Sequence, residues 1–220
     1  MPDEVNPCHS NLRVEKQTAE EGFQVIAGID EAGRGALAGP VVAAAVVIYP
    51  RAYHPVITDS KRLSAARRDE LYDWIEANAL AIGVGQVDAA TIDRVNILQA
   101  TFIAMRQAVE ALKAVPDFLL VDGRDFPFPG HQGAALVKGD LLSFSIACAS
   151  IVAKVTRDRI LIDYDQQWPQ YRFARHKGYG TSAHLQALRE LGPLEVHRDT
   201  FLPDRQKPAD NVQPTFWEES

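Results

Sequence analysis

Asp30 and Glu31 are adjacent carboxylates that follow an apolar run, Phe23-Gln24-Val25-Ile26-Ala27, and precede two glycines around an arginine, Gly33-Arg34-Gly35. A carboxylate pair at the end of a buried strand is costly unless a cation shares the site. Hard divalent metals such as Mg²⁺ and Mn²⁺ take oxygen ligands and answer that need. The glycine–arginine–glycine step offers bare backbone amides and a guanidinium to a phosphate or a ribose. Together these residue types point to metal-dependent chemistry on a phosphodiester.

The same glycines, Gly33, Gly35 and Gly39, permit a dinucleotide-binding reading, with pyrophosphate at a helix N-terminus. Two features oppose it. Asp30 and Glu31 would face the anion, and Pro40-Val41-Val42-Ala43-Ala44-Ala45-Val46-Val47-Ile48 reads as a buried strand where a helix should open. Further carboxylates stand beside glycines at Asp122-Gly123 and Gly139-Asp140. Each is expected at a strand end, where ligands of open α/β sheets gather. Four carboxylates from separate segments can surround two divalent ions, which activate water and stabilise a leaving oxygen. For Asp122-Gly123 alone, a plain turn is an equal alternative.

The elements that must hold these residues are read as follows. Strands are expected over 24–30, 40–48, 81–87, 118–121 and 134–138. Ser64 caps a helix to about residue 79, with Leu71, Trp74 and Ile75 on its apolar face. A second helix spans 91–115, ended by Pro116. A third spans 143–164, with small residues in its first half that let it lie close to a sheet. A fourth spans 182–191, stopped by Gly192-Pro193. Residues 124–133 and 168–180 read as loops. The alternation of strands and helices argues for an α/β sheet with helices packed on it.

The chain has 220 residues, enough for one domain with a full core. Residues 1–20 and 204–220 read as flexible segments flanking a domain over 21–203. No secretory signal and no membrane span are expected. Cys8 and Cys148 read as free thiols, which fits a reducing cytoplasm. The net charge of −6 is concentrated in the ends: residues 22–203 carry only −1. Bound divalent cations would make that core mildly positive, and Arg172, Arg175, His176 and Lys177 form a late basic cluster. The charge excludes a strongly basic non-specific binder but not a site-directed one.

Several long motifs together resemble the bacterial ribonuclease HII family. They are Gly28-Ile29-Asp30-Glu31-Ala32-Gly33-Arg34-Gly35 through Ala38-Gly39-Pro40-Val41, Asp59-Ser60-Lys61, Val121-Asp122-Gly123, Lys138-Gly139-Asp140, the stretch from Ala149 to Asp158, and His176-Lys177-Gly178-Tyr179-Gly180-Thr181. The resemblance covers about residues 23–203. It implies a ribonuclease H-like fold, a five-stranded mixed sheet flanked by helices with a C-terminal helical part. It implies Mn²⁺- or Mg²⁺-dependent cleavage of RNA in RNA–DNA hybrids, and nicking 5′ of a single ribonucleotide in duplex DNA, leaving 3′-hydroxyl and 5′-phosphate ends. By position, Asp30, Glu31 and Asp122 match the main metal ligands and Asp140 the fourth acidic residue. Gly33, Arg34 and Gly35 match the turn that reads the ribose 2′-hydroxyl. Tyr179 matches a tyrosine stacked on the next, deoxy, sugar, and Lys61 and Lys177 match residues near the phosphates.

The chemistry of these residue types agrees. A 2′-hydroxyl separates RNA from DNA at one position, and a ring packed flat on a sugar excludes a 2′-hydroxyl there. Asp158 is expected to pair with Lys154 one helical turn back, with a supporting role near the metals as the alternative. His176 and His197 are expected at the surface, His184 in a structural role, and Asp125 as a solvated loop acid. A non-catalytic hybrid-binding module on the same fold is the alternative to an enzyme, and it would have lost acidic positions that are all present here. A monomer is expected. Phe216-Trp217 could anchor a replication partner, although a flexible tail is the simpler reading.

Overall fold

The computed structural model describes residues 12–49, 52–57 and 63–203. Its centre is a five-stranded sheet in the order β3-β2-β1-β4-β5. The strands are β1 (Ile26–Ala32), β2 (Val41–Ile48), β3 (Ala79–Val87), β4 (Phe118–Asp122) and β5 (Gly133–Leu136). β1, β2 and β3 pair antiparallel, and β4 and β5 run parallel to β1. All five expected strands are present, with ends moved by at most two residues. β1 runs on past Asp30, so the carboxylate pair lies within the strand.

The pleat divides the strands between two cores. Ile29, Val41, Ala43, Ala45 and Val121 face α4 (Ile97–Glu110) through Ala100, Ala104 and Ala108. Ala44 and Val46 face α2 (Ala65–Asn78) and α6 (Phe144–Gln167) on the other side. The small residues early in α6 let it approach closely. A Cβ on Gly28 would stand 2.1 Å from the Ser145 carbonyl carbon, so only glycine admits the helix over β1. Ser64 caps α2 as expected, accepting from the Arg67 N–H.

Three readings need correction. The helix expected over 91–115 is two helices, α3 (Ala89–Val95) and α4, and the second ends at Glu110. Asn96 breaks it by adopting a φ of 68° and turning its side chain onto the N–H groups of Leu98 and Gln99. The apolar spacing continues across the break, so periodicity alone hides it. Within the supposed flexible lead-in, Arg13–Glu20 forms α1. Its Glu15 carboxylate accepts from the Ser143 hydroxyl and from the N–H and hydroxyl of Ser145. A carboxylate there also suits the positive end of the α6 dipole. The loop over 168–180 contains a 3₁₀ turn, Pro169–Tyr171, and a short helix, α7 (Phe173–His176).

A third core joins the C-terminal helical part to the end of α6. Leu161, Tyr171, Phe173 and Leu188 pack there, the last from α8 (Ser182–Leu191). Among the described residues no helix is long and apolar enough to cross a membrane.

Candidate active site

β1 and β4 lie side by side in parallel, with Ile29 opposite Val121. The next residue on each strand is an aspartate, Asp30 and Asp122. With Glu31 they line a cleft of about 470 Å³. Gly33, Arg34 and Tyr179 line it too, as do Ser150, Lys154 and Arg68. Three of the four carboxylates expected from sequence therefore share one cavity with Gly33, Arg34 and Tyr179.

Asp30 is buried, and its carboxyl is held well above the usual carboxylate range. Burial is the largest cause, followed by the charges of Glu31 and Asp122; hydrogen bonds from Ser150 and the Glu31 N–H pull the other way. Each acid has its own neighbour. Asp30 Oδ1 accepts from the Glu31 N–H at 2.7 Å, Glu31 Oε1 pairs with Arg34 Nη1 at 3.2 Å, and Asp122 Oδ1 accepts from the Gly139 N–H at 2.6 Å. Among the described residues no three acidic, histidine or cysteine side chains close into a ready-made metal cage. The donor set nonetheless fits a hard divalent cation: all oxygen, excess negative charge, and one acid that burial keeps from ionising freely.

The other expected residues are placed as follows. Asp140 is buried in the first turn of the short helix α5 (Gly139–Leu142), not at a strand end, and does not line the cleft. The N–H of its neighbour Gly139 holds Asp122, so α5 borders the acids through its backbone. Gly35 also lies outside the lining. Lys61 lies outside the described residues. Lys177 Nζ turns onto the Ala174 carbonyl at 2.6 Å. Burial lowers its pKa most, with Asp158 opposing. Asp158 makes the expected pair with Lys154 at 2.6 Å and stands 4.0 Å from Arg68. Asp125 is exposed, as expected. His176 and His197 are buried, not at the surface, and His184 is buried with them.

Sequence reasoning found the Lys154–Asp158 pair but missed Ser150 and the two arginines that hold the site. Ser150, Lys154 and Asp158 recur every four residues on α6, and that polar stripe on a buried helix was a readable signal. Arg157 and Arg198 gave none. Both are fully buried and bonded to backbone carbonyls. Arg157 donates to Pro40 O, Ala38 O and Lys177 O. Arg198 donates to Gly39 O and Arg34 O. Burial lowers the pKa of both, that of Arg198 to about 10. A Cβ on Gly33, at φ 93°, would fall 1.9 Å from Arg157 Nε. The glycine turn thus fits against the guanidinium that also grips the segment carrying Tyr179. Gly178 O accepts from the N–H groups of Leu37 and Ala38, and the Arg157 guanidinium lies 5.4 Å from the Tyr179 ring centre. Lys154 Nζ lies 5.9 Å from the same ring centre, and Tyr179 is 37% exposed where it lines the cleft.

The sequence model of the family described as Ribonuclease HII matches residues 27–203. Ribonuclease HII of Syntrophus aciditrophicus (strain SB) is 55% identical over 195 residues, spanning 88% of this chain and 92% of that protein. That of Geobacter sulfurreducens is 56% identical over 188 residues, 85% of this chain and 86% of that protein. Among solved structures, ribonuclease H2 from Pyrococcus horikoshii OT3 superposes with a TM-score of 0.70 at 26% identity, covering 80% of this chain and 93% of that one. The PCNA:RNase HII complex from Archaeoglobus fulgidus gives 0.67, also at 26% identity, over 80% and 94%.

Proposed function

This chain belongs to the ribonuclease HII family, a hydrolase of the ribonuclease H class that cleaves within RNA–DNA hybrids, and we propose that it also nicks duplex DNA 5′ of a single embedded ribonucleotide. The observation that carries the proposal is the sharing of one cleft by Asp30, Glu31 and Asp122 with the Gly33-Arg34 turn and the Tyr179 ring. Chemistry and selection then act on neighbouring nucleotides. The turn reads the 2′-hydroxyl of the ribonucleotide through its backbone groups. Tyr179 packs on the sugar that follows and rejects a second 2′-hydroxyl.

Asp30, Glu31 and Asp122 would hold divalent metal, Mn²⁺ or Mg²⁺; a second ion would also need Asp140, which is buried on α5 outside the cleft lining. When bound, such ions supply a nucleophile from water at neutral pH and offset charge on the leaving oxygen. The water oxygen bonds to phosphorus, the bond from phosphorus to the 3′ oxygen breaks, and that oxygen takes a proton. The products are a 3′-hydroxyl and a 5′-phosphate. Lys154 and Arg68 line the cleft beside the acids and can face the phosphates, with Lys177, Gly35 and Lys61 as further contacts of the nucleic acid. Asp158 keeps Lys154 in place. A replication-protein contact is favoured by likeness to the Archaeoglobus fulgidus protein, solved with PCNA. Phe216 and Trp217, the expected anchor, lie outside the described residues.

The test is cleavage of a duplex holding one ribonucleotide, beside an all-DNA duplex and a continuous hybrid. A metal-dependent nick 5′ of the ribonucleotide, with the all-DNA duplex intact, is expected. Cleavage of the hybrid without that nick would overturn the single-ribonucleotide reading, and binding without cleavage of either would favour a non-catalytic module.

A further inference from the structure

Three histidines that the proposed chemistry does not use sit beneath the Tyr179 loop. His176, His184 and His197 come from α7, α8 and the segment after it, and all are buried. The rings of His176 and His184 stack with centres 4.2 Å apart and 13° between planes. Each of the six ring nitrogens has a polar neighbour, and those neighbours admit one neutral arrangement of protons.

His184 Nδ1 lies 3.0 Å from the Tyr179 carbonyl, so it must carry the hydrogen and donate. Its Nε2 is then bare and accepts from His197 Nε2, 3.1 Å away. His197 Nδ1 is bare in turn, and the Leu194 N–H donates to it at 2.8 Å. The Tyr179 carbonyl fixes these tautomers from one end; at the other, the Leu194 carbonyl also lies 3.2 Å from His197 Nδ1, but it already accepts from the His197 N–H at 2.9 Å, and the shorter Leu194 N–H contact agrees with a bare Nδ1. His176 is fixed in the same way. The Gly178 N–H donates to its Nδ1 at 3.2 Å, and its Nε2–H donates to the Tyr171 carbonyl at 2.8 Å. The backbone on either side of the Tyr179 side chain, the Gly178 N–H and the Tyr179 carbonyl, therefore ends on an imidazole.

Apolar side chains would fill this volume at less desolvation cost. A directional relay supplies what they cannot, a fixed orientation for the peptide groups that carry the ring. We propose that His184, oriented by His197, is a positioning residue that sets the Tyr179 ring for reading the sugar beyond the ribonucleotide. The inference rests on the Tyr179 reading given above. His184 touches no substrate; it acts through the Tyr179 carbonyl. His176, stacked on it, holds the preceding turn.

Asparagine places an N–H near the position of imidazole Nδ1, whereas leucine fills the volume with no donor. The readout is the ratio of kcat/KM for a single-ribonucleotide duplex to that for a continuous hybrid, on variants whose circular dichroism matches the parent. His184→Leu lowers the ratio about tenfold, the worth of one lost hydrogen bond. His184→Asn recovers it to within about threefold. Packing alone would rank leucine level with or above asparagine, and that order overturns the inference. Tyr179→Ala is the control: if it leaves the ratio unchanged, the Tyr179 reading fails and the relay with it. If Tyr179→Ala lowers the ratio and His184→Leu does not, the relay alone fails. ¹⁵N NMR of the unmutated protein keeps the test open should His184→Leu not fold. Protonated Nδ1 on His184 and protonated Nε2 on His197 are expected, and the opposite tautomers overturn it.

Discussion

At Asp30, burial and the charges of Glu31 and Asp122 favour the protonated acid, while Ser150 and the Glu31 N–H favour the carboxylate. A divalent ion among the three acids tips that balance toward the charged form. Asp122→Asn keeps the shape and an oxygen for the Gly139 N–H but removes one charge. Hybrid cleavage at saturating metal should fall by at least about 10³-fold, with a melting temperature equal to or above that of the parent because repulsion at Asp30 is relieved. Single-turnover kinetics and a thermal melt check both, and near-normal cleavage would remove Asp122 from the metal set. The acids and the Gly33-Arg34-Gly35 turn are legible in sequence because their chemistry is local. His176 and His197 are not. A histidine among basic residues reads as solvated, and only the packing of α7 and α8 against the 194–198 segment buries it.

Among the elements, α6 connects the most parts. Its small first half lies on Gly28, Ser150 and Lys154 face the cleft, and Arg157 joins the glycine turn to the Tyr179 segment. Arg157→Met removes a donor to three carbonyls that water cannot reach. Unfolding in urea should show a loss on the order of 3 kcal/mol, and activity should fall even where the protein is fully folded. A variant as stable and active as the parent would contradict this role. Ser64 announces its helix by chemistry that acts over three residues. Asn96 does not, because its break depends on a left-handed backbone that apolar periodicity does not register. Arg157 and Arg198 are invisible to local reading for a related reason: their partners are carbonyls between 20 and 164 residues away.

Taken as a whole, the molecule joins its acidic cleft to its buried histidine cluster through the Tyr179 segment, which lines the one and bonds to the other. Burial first, then His176, lowers the pKa of His184 to about 4; burial and His176 do the same to His197. Asp165 favours the charged form of His176, while Arg175 and Lys177 oppose it. In the unfolded chain these rings take protons near pH 6.5. Between about 6.5 and 4 the unfolded state binds more protons, so stability falls as the pH drops through that window and levels below it. From pH 7 to pH 5 the two rings should remove on the order of 2 kcal/mol, read from urea midpoints at constant salt. An unchanged midpoint would mean that the rings are charged in the fold.

The central claim is that Asp30, Glu31 and Asp122 hold the metal that cleavage needs, within reach of the Tyr179 ring. Anomalous scattering from crystals grown with Mn²⁺ tests it most directly. The account predicts density for the ion bounded by these three carboxylates, lost in Asp122→Asn crystals. Ions bound only elsewhere, in a protein whose cleavage in solution requires Mn²⁺, would contradict it.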